Sequence, residues 1–275
     1  MGIGFLTLLA CKGVLTISRT YVVTGVASGI GKETAELLSS RGAKVLGVDL
    51  KNADINVDLT TAAGRENLVA EAGRLGGGQI DGVLAIAGLV APIPATVGVN
   101  FFGMVATLEG LRTLLAGSPA PRAVGVSSMA SLMPVDDELV AAMSAHDEVA
   151  ALARAAFLAE TEEGGGLIYA STKKAFAQWI RRTAPSKAWA GASVPLNAIA
   201  PGIIITSMTA PMLETEEARE QVRIAVPMPL NGFAEAIVPA RLLSWLVSEE
   251  NTHLCGQVIF IDGGSDAVIR GDSTW

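Results

Sequence analysis

Tyr21-Val22-Val23-Thr24-Gly25-Val26-Ala27-Ser28-Gly29-Ile30-Gly31 runs from an apolar stretch into a glycine-rich turn, and Lys32-Glu33-Thr34-Ala35-Glu36-Leu37-Leu38 continues at helical period. Strand, glycine turn and helix in that order form the context in which such glycines carry meaning. They let the main chain approach a pyrophosphate, while the helix N-terminus offers unpaired N–H groups and a favourable dipole. The plain alternative is a tight βα turn. The next apolar run, Ala43 to Val48, ends on Asp49, at the distance of about 20 residues where a dinucleotide-binding unit sets an acid against the adenosine ribose. A carboxylate there repels a 2′-phosphate, and the residue before Gly29 is Ser28, not a base. NAD is therefore expected over NADP. The charge of Lys51 works against that exclusion, and a solvated loop acid is the other reading of Asp49.

Outward from this unit the chain alternates. Ile55 to Val57 reads as a third strand ending in Asp58-Leu59, Thr60 to Leu75 as a helix closed by Gly76-Gly77-Gly78, and Gly82 to Gly88 as a fourth strand with small residues at its end. Strands alternating with helices imply right-handed crossovers and an α/β, doubly wound parallel sheet of the Rossmann type. A length of 275 residues suits one such domain, placed over 19–275. Residues 1–18 read as an N-terminal extension, either an extra strand or an overlong start. Its apolar run from Ile3 to Cys11 is only nine residues long, too short to span a membrane and poorly formed as a secretory signal.

Composition narrows the partners. Net charge is −7 with 17% charged residues and no basic cluster, which argues against nucleic acid. Cys11 and Cys255 lie far apart and the histidines are His146 and His253, so no metal-ligand spacing occurs. A cytoplasmic, metal-free protein with no membrane association is expected. Hydrophobicity of 50% with 30 glycines suits a buried parallel sheet with many tight turns.

The second half carries the candidate chemistry. Asn100 opens a long apolar helix through Phe101, Met104, Leu108 and Leu111; buried, its amide is either a structural bond-maker or a site group. Strand five, Ala123 to Val126, delivers Ser127 and Ser128 at its carboxyl end, where open α/β sheets bind ligands. No glycine follows at the hydrolase-elbow position, so Ser128 is better read as a hydrogen-bond donor to a substrate oxygen. Leu132 to Gly166 reads as one or two helices with a flexible glycine exit, serving as a lid or substrate wall, or as a subunit-packing element. Tyr169-Ala-Ser-Thr-Lys173 then places a phenol and an ammonium on one helical face. A cation about 4 Å from the phenol is worth roughly 4 kcal/mol, about three pKa units, enough to let tyrosine exchange a proton near neutral pH. Val194 to Ala200 is the next strand, followed by Pro201-Gly202 and Thr206. The 206–229 stretch has no clean period and is expected to be mobile. A helix over Ala234 to Ser248 and a strand over Gln257 to Ile261 close the pattern.

Thr24-Gly25-x-x-x-Gly29-Ile30-Gly31, Asn100, Ser128, Tyr169-x-x-x-Lys173 and Pro201-Gly202 with Thr206 occur in that order, and together they resemble the short-chain dehydrogenase/reductase family over about residues 19–266. The resemblance implies that Tyr169 is the general acid/base, that Lys173 lowers its pKa and holds the nicotinamide ribose, that Ser128 positions the substrate oxygen and that Asn100 anchors a water relay. It implies an NAD (NADH) site formed by Gly25, Ser28, Gly29, Ile30, Gly31, Asp49, Asp58, Leu59, Ala87, Gly88, Tyr169, Lys173, Pro201, Gly202, Ile204 and Thr206. The sequence departs from the usual Asn-Ala-Gly after strand four, reading Ile86-Ala87-Gly88, which removes a side-chain bond between neighbouring strands. Ser128 and Tyr169 are 41 residues apart, against about a dozen in most members. That spacing, with Gly47-Val-Asp49, Asn197-x-Ile-Ala-Pro201-Gly202 and Ile261-Asp262-Gly-Gly-x-Asp266, looks like the bacterial 3α-hydroxysteroid dehydrogenase/carbonyl reductase subgroup. The implied activity is reversible oxidation of a secondary alcohol to a ketone on an apolar substrate, with a steroid as one candidate. The implied assembly is a homodimer where the 132–166 segment covers the surface that family tetramers use, and a tetramer where it does not. Two other readings stay open: a reductase of another ketone or acyl substrate, and a catalytically silent NAD-binding sensor. Reductases of unsaturated acyl thioesters set their tyrosine and lysine further apart than four, and a sensor has no need of the catalytic set.

Overall fold

A computed structural model of the chain describes residues 18–273, so nearly all of the expected N-terminal extension lies outside the described residues. The first half comprises β1 (Thr20–Thr24), α1 (Gly29–Ser40), β2 (Lys44–Asp49), β3 (Ile55–Asn56), α2 (Ala62–Gly76) and β4 (Gly82–Ala85). Then α3 (Pro94–Val97) passes through a π-helical turn, Gly98–Gly103, into α4 (Met104–Leu111), before β5 (Arg122–Val126). After β5 come α5 (Asp137–Ser144), α6 (Glu148–Leu158), α7 (Glu162–Thr183), β6 (Leu196–Pro201) and β7 (Ile204–Ile205). The chain closes with α8 (Glu216–Ala225), β8 (Ala234–Glu235), α9 (Ile237–Leu246), β9 (Val258–Ile261) and α10 (Ser265–Arg270).

Seven of the strands form one parallel sheet in the order β3-β2-β1-β4-β5-β6-β9. Apolar runs without alternation suit strands covered on both faces, and Val22, Val23, Val83 and Leu84 at the centre are wholly buried. Helices cover the sheet in two groups, α1 packed on α9, and α2 on α4 with α7 beyond. The strand order reverses between β1 and β4, which opens a crevice at the carboxyl ends of those strands.

One close approach positions the second half of that crevice. A Cβ at Gly125 of β5 would stand 2.4 Å from the Phe176 ring of α7. The glycine therefore lets α7 lie directly on β5, and this brings Tyr169 and Lys173 beside the residues that follow the strand. The 132–166 segment stiffens α7 from outside. Asp136 accepts from the Leu139 amide at 2.7 Å, capping α5, and takes Arg154 of α6 in a two-pronged ion pair at 3.0 and 2.6 Å. Its own amide donates to Ser171 Oγ of α7 at 3.0 Å. Leu139, Met143, Ala151 and Ala155 are fully buried, so these helices are part of the core.

Several expectations need correction. The helix containing Asn100 starts six residues earlier, at Pro94, and Asn100 sits inside its π turn. Gly164, Gly165 and Gly166 are not a flexible exit but belong to the first turns of α7; Thr161 accepts from the Gly164 amide, and a Cβ on Gly165 would press on Pro92 at 2.8 Å. The 206–229 stretch holds a helix, α8, none of whose residues is fully buried; only Ala218 and Val222, four apart, turn a half-buried side inward. It is also held by the Thr215 cap and by Arg223 paired with Glu216 and Glu220, bonds worth tenths of a kcal/mol each when exposed. Ala234 and Glu235 pair with β7 as a short strand, so α9 begins only at Ile237.

Candidate active site

The crevice holds a cavity of about 530 Å³. Each position expected to hold the dinucleotide, from Gly25 to Thr206, lines it, and so does Ser128. Asn100 does not; it is fully buried behind the wall. No residue between Met129 and Ile168 lines the cavity, and the helices of the 132–166 segment pack against α7. Leu89, Ala95 and Val99 on one side and Ser207, Met208 and Thr209 on the other were not legible from motifs. Their one sequence signal is proximity to Gly88, Asn100 and Thr206.

At the first end of the cavity the glycine turn folds tightly on itself. A Cβ on Gly31 would lie 2.1 Å from the Gly25 carbonyl oxygen, and one on Gly25 would lie 3.0 Å from the Ala87 backbone. Gly25 and Gly29 have φ of 80° and 54°, conformations that cost other residues strain. Ser28 makes no side-chain cap bond to α1, and no acid occupies its first turn. The start of α1 is thus open toward the cavity as an anion site, as a pyrophosphate requires. Asp49 Oδ2 accepts from the Ala27 amide at 2.9 Å and Oδ1 from the Leu50 amide at 2.7 Å, which orients the carboxylate beside the turn with lone pairs to spare. The charged side chains lining the cavity are Asp49, Asp58 and Lys173; Lys51 is not among them. These residues fit a dinucleotide.

At the other end Ser128, Tyr169 and Lys173 converge. Ser128 accepts from the Ala130 amide at 3.1 Å, fixing the turn after β5, and Ser127 Oγ donates to the Lys173 carbonyl at 2.9 Å. Lys173 Nζ donates to the Val126 carbonyl at 2.9 Å and lies 5.5 Å from the centre of the Tyr169 ring. Asn100 Oδ1 accepts from the Leu89 amide and its Nδ2 donates to the Leu89 carbonyl, both at 2.8 Å. The buried amide is therefore a bond-maker that pins the loop leaving β4, and the π turn sets it there. Ile86 has no side-chain bond to offer, yet the ends of β1 and β4 are still joined, because Thr24 Oγ1 accepts from the Ile86 and Ala87 amides at 2.9 and 3.0 Å.

The electrostatics differ from the expected tuning. Burial pushes the Tyr169 phenol up, with a hydrogen bond to Ser128 pulling the other way, while burial lowers Lys173 to about 7. A desolvated lysine that is itself half discharged at neutral pH supplies no full cation to depress the phenol, so in the cofactor-free protein Tyr169 is a neutral proton donor. Because the folded pKa of Lys173 lies below its unfolded value, stability rises with pH from about 7 toward the unfolded value. Between pH 7 and 9 the cofactor-free protein should gain about 2 kcal/mol relative to Lys173→Met. Parallel urea-unfolding curves for the two proteins across that range would contradict this.

The sheet order, the glycine turn and the convergent Ser128, Tyr169 and Lys173 define a dinucleotide-dependent oxidoreductase. A family profile described as enoyl-(acyl carrier protein) reductase matches residues 25–266. The chain belongs to the short-chain dehydrogenase/reductase family, whose members act on CH–OH groups with NAD(P). It is 34% identical over 254 residues to the 3-alpha-hydroxysteroid dehydrogenase/carbonyl reductase of Comamonas testosteroni, covering 90% of this chain and 97% of that one. It is 28% identical over 263 residues to the coniferyl-alcohol dehydrogenase of Pseudomonas sp. strain HR199, covering 90% and 96%. The solved 3-alpha-hydroxysteroid dehydrogenase of Pseudomonas sp. B-0831, complexed with NADH, superposes with a TM-score of 0.83 at 37% identity, over 92% of this chain and 99% of that one. Among the described residues no helix is long and apolar enough to cross a membrane.

Proposed function

We propose that this chain is an NAD-linked enzyme that interconverts a secondary alcohol and a ketone on an apolar substrate, a steroid being the leading candidate. The observation that carries the reading is the single cavity with Asp49 and the glycine turn at one end and Ser128, Tyr169 and Lys173 at the other. NAD, when bound, takes or supplies the hydride. Ser128 offers its hydroxyl to the substrate oxygen, and Tyr169 gives that oxygen a proton in reduction and removes it in oxidation. Lys173 holds the cofactor ribose and takes part in returning the proton, a role suited to an amine near neutrality. Asn100 works from behind by fixing Leu89. The four-residue spacing of Tyr169 and Lys173 disfavours reduction of an unsaturated acyl thioester, despite the description of the matching profile.

A panel of steroid and aromatic ketones, read by absorbance with NADH and NADPH in parallel, tests the proposal. Turnover with NADH should exceed that with NADPH by at least about tenfold in kcat/KM, roughly 1.4 kcal/mol, because a 2′-phosphate would meet Asp49 with no cation lining the cavity beside it. Equal use of both cofactors would sink the NAD assignment, and reduction of a crotonyl thioester in place of any ketone would sink the substrate class.

The same reading includes a homodimer. Helices α5 and α6 occupy the outer side of α7. The sheet ends instead at β9, whose four residues are all only half-buried, whereas every residue of β5 and β6 is buried. An open groove of about 630 Å³ runs between this edge and the side of α7 that carries Lys174, Ala177, Gln178, Arg181 and Arg182, a side that α5 and α6 leave uncovered, and holds none of the catalytic residues. An uncovered edge strand is a surface that proteins pair or protect, and a second copy is the partner we assign to it. Light scattering should give twice the chain mass; a tetramer would show that α5 and α6 do not block a second interface.

A further inference from the structure

The wall formed by Pro201, Gly202 and Ile204 is held by a residue that does not itself line the cavity. Met228, half-buried at the far end of the α8 excursion, accepts a hydrogen bond on Sδ from the Ile203 amide at 3.3 Å. A Cβ on Gly202 would come within 3.0 Å of both the Met228 sulfur and its methyl carbon, so the thioether rests directly on the Gly202–Ile203 peptide. On the other side of the same residue, the Ile203 carbonyl accepts from the Ala234 amide at 3.1 Å. Met228 is itself fixed: its carbonyl accepts from the Gly232 amide at 3.2 Å, and Leu230 donates to the Gly263 carbonyl at 2.9 Å. Both polar groups of Ile203 are thus held by the returning strand of the excursion that begins at Thr206 and carries Met208 and Thr209 into the cavity.

We propose that Met228 is a positioning residue, a soft clamp that sets the Gly202–Ile204 backbone against the dinucleotide and lets that wall adjust when the 206–229 excursion moves. Thioether sulfur suits the task. It is a weak acceptor on an unbranched, polarisable side chain, so the amide stays partnered over a wider range of positions than a rigid oxygen acceptor allows. The cofactor half of this inference rests on the NAD reading; the clamp itself does not.

The test compares wild type with Met228→Leu, which keeps an apolar side chain of similar size but offers no acceptor, and Met228→Gln, which restores one. Hydrogen exchange on the cofactor-free proteins reads the Ile203 amide directly. Exchange there should be about tenfold faster in Met228→Leu and close to wild type in Met228→Gln, with β5 amides unchanged in both. NADH binding, followed by cofactor fluorescence, should be about fivefold weaker in Met228→Leu and within about twofold of wild type in Met228→Gln. Unchanged Ile203 exchange in Met228→Leu overturns the clamp. Faster exchange with unchanged NADH affinity overturns the positioning role, as does a Met228→Gln protein no better than Met228→Leu. If wild type binds no NADH, the NAD reading and the positioning role both fail, and the exchange arm decides the clamp alone.

Discussion

Tyr169→Phe should lower kcat for ketone reduction by at least about 100-fold, the usual floor for losing a general acid/base, while NADH affinity stays within about twofold. The substitution removes one oxygen and keeps the ring, whose centre lies 5.5 Å from Lys173 Nζ. The dinucleotide is met by many groups besides that oxygen, among them the open start of α1, Asp49 and the Pro201–Thr206 wall. Lys173→Ala should instead damage both quantities, because its amine bridges the Val126 carbonyl and the cavity. The raised phenol pKa adds a direction to the expectation: Tyr169 stays protonated at neutral pH, so reduction should need no prior titration of this group. Stopped-flow turnover and fluorescence titration on the same preparations separate the two effects. A Phe variant keeping more than about a tenth of kcat would require another proton donor.

A bulky, rigid ketone should show a KM far below that of cyclohexanone. Beyond Tyr169 the cavity is walled by Leu89, Ala95, Val99 and Met208, and no arginine lines it to hold a carboxylate or phosphate. Val90, Ile93, Ile205, Met208 and Met212, in the segments around these walls, are exposed apolar side chains awaiting cover. Burying about 200 Å² of additional apolar surface is worth up to about 5 kcal/mol before ordering costs. Replacing Met208 and Met212 together by serine should therefore raise KM for the bulky ketone about tenfold and leave that of cyclohexanone nearly unchanged. Equal effects on both ketones would mean that the methionines support the fold and not the substrate.

The residues around the glycine turn and the Tyr169 segment declare themselves because their chemistry is local. A strand, three close glycines and a helix start make an anion cradle whatever else the chain does, and Asp49 and Lys173 follow at distances set by one strand or one helical turn. The alternation of apolar runs likewise dictates a parallel sheet, since strands covered on both faces need no polar alternation. Sequence alone thus determined the fold class, the family resemblance and the positions expected at the dinucleotide, all of which line the cavity, but not Leu89, Ala95, Val99 or Ser207 to Thr209. What it left undecided depends on partners distant in the chain. Thr24 reaches the Ile86 and Ala87 amides only because β1 and β4 lie side by side, and Asn100 becomes a bond-maker only because a π turn aims it at Leu89. The helices of 132–166 pack on α7 through Asp136 and Arg154 and do not roof the cavity. Helix α8 was hidden because charged residues dominate it and its apolar stripe is only Ala218 and Val222, with a cap and ion pairs supplying the remaining bonds. The proton affinities of Tyr169 and Lys173 were decided last of all, since spacing brings the two groups together but only burial, a property of the whole packed molecule, determines which charge each can bear.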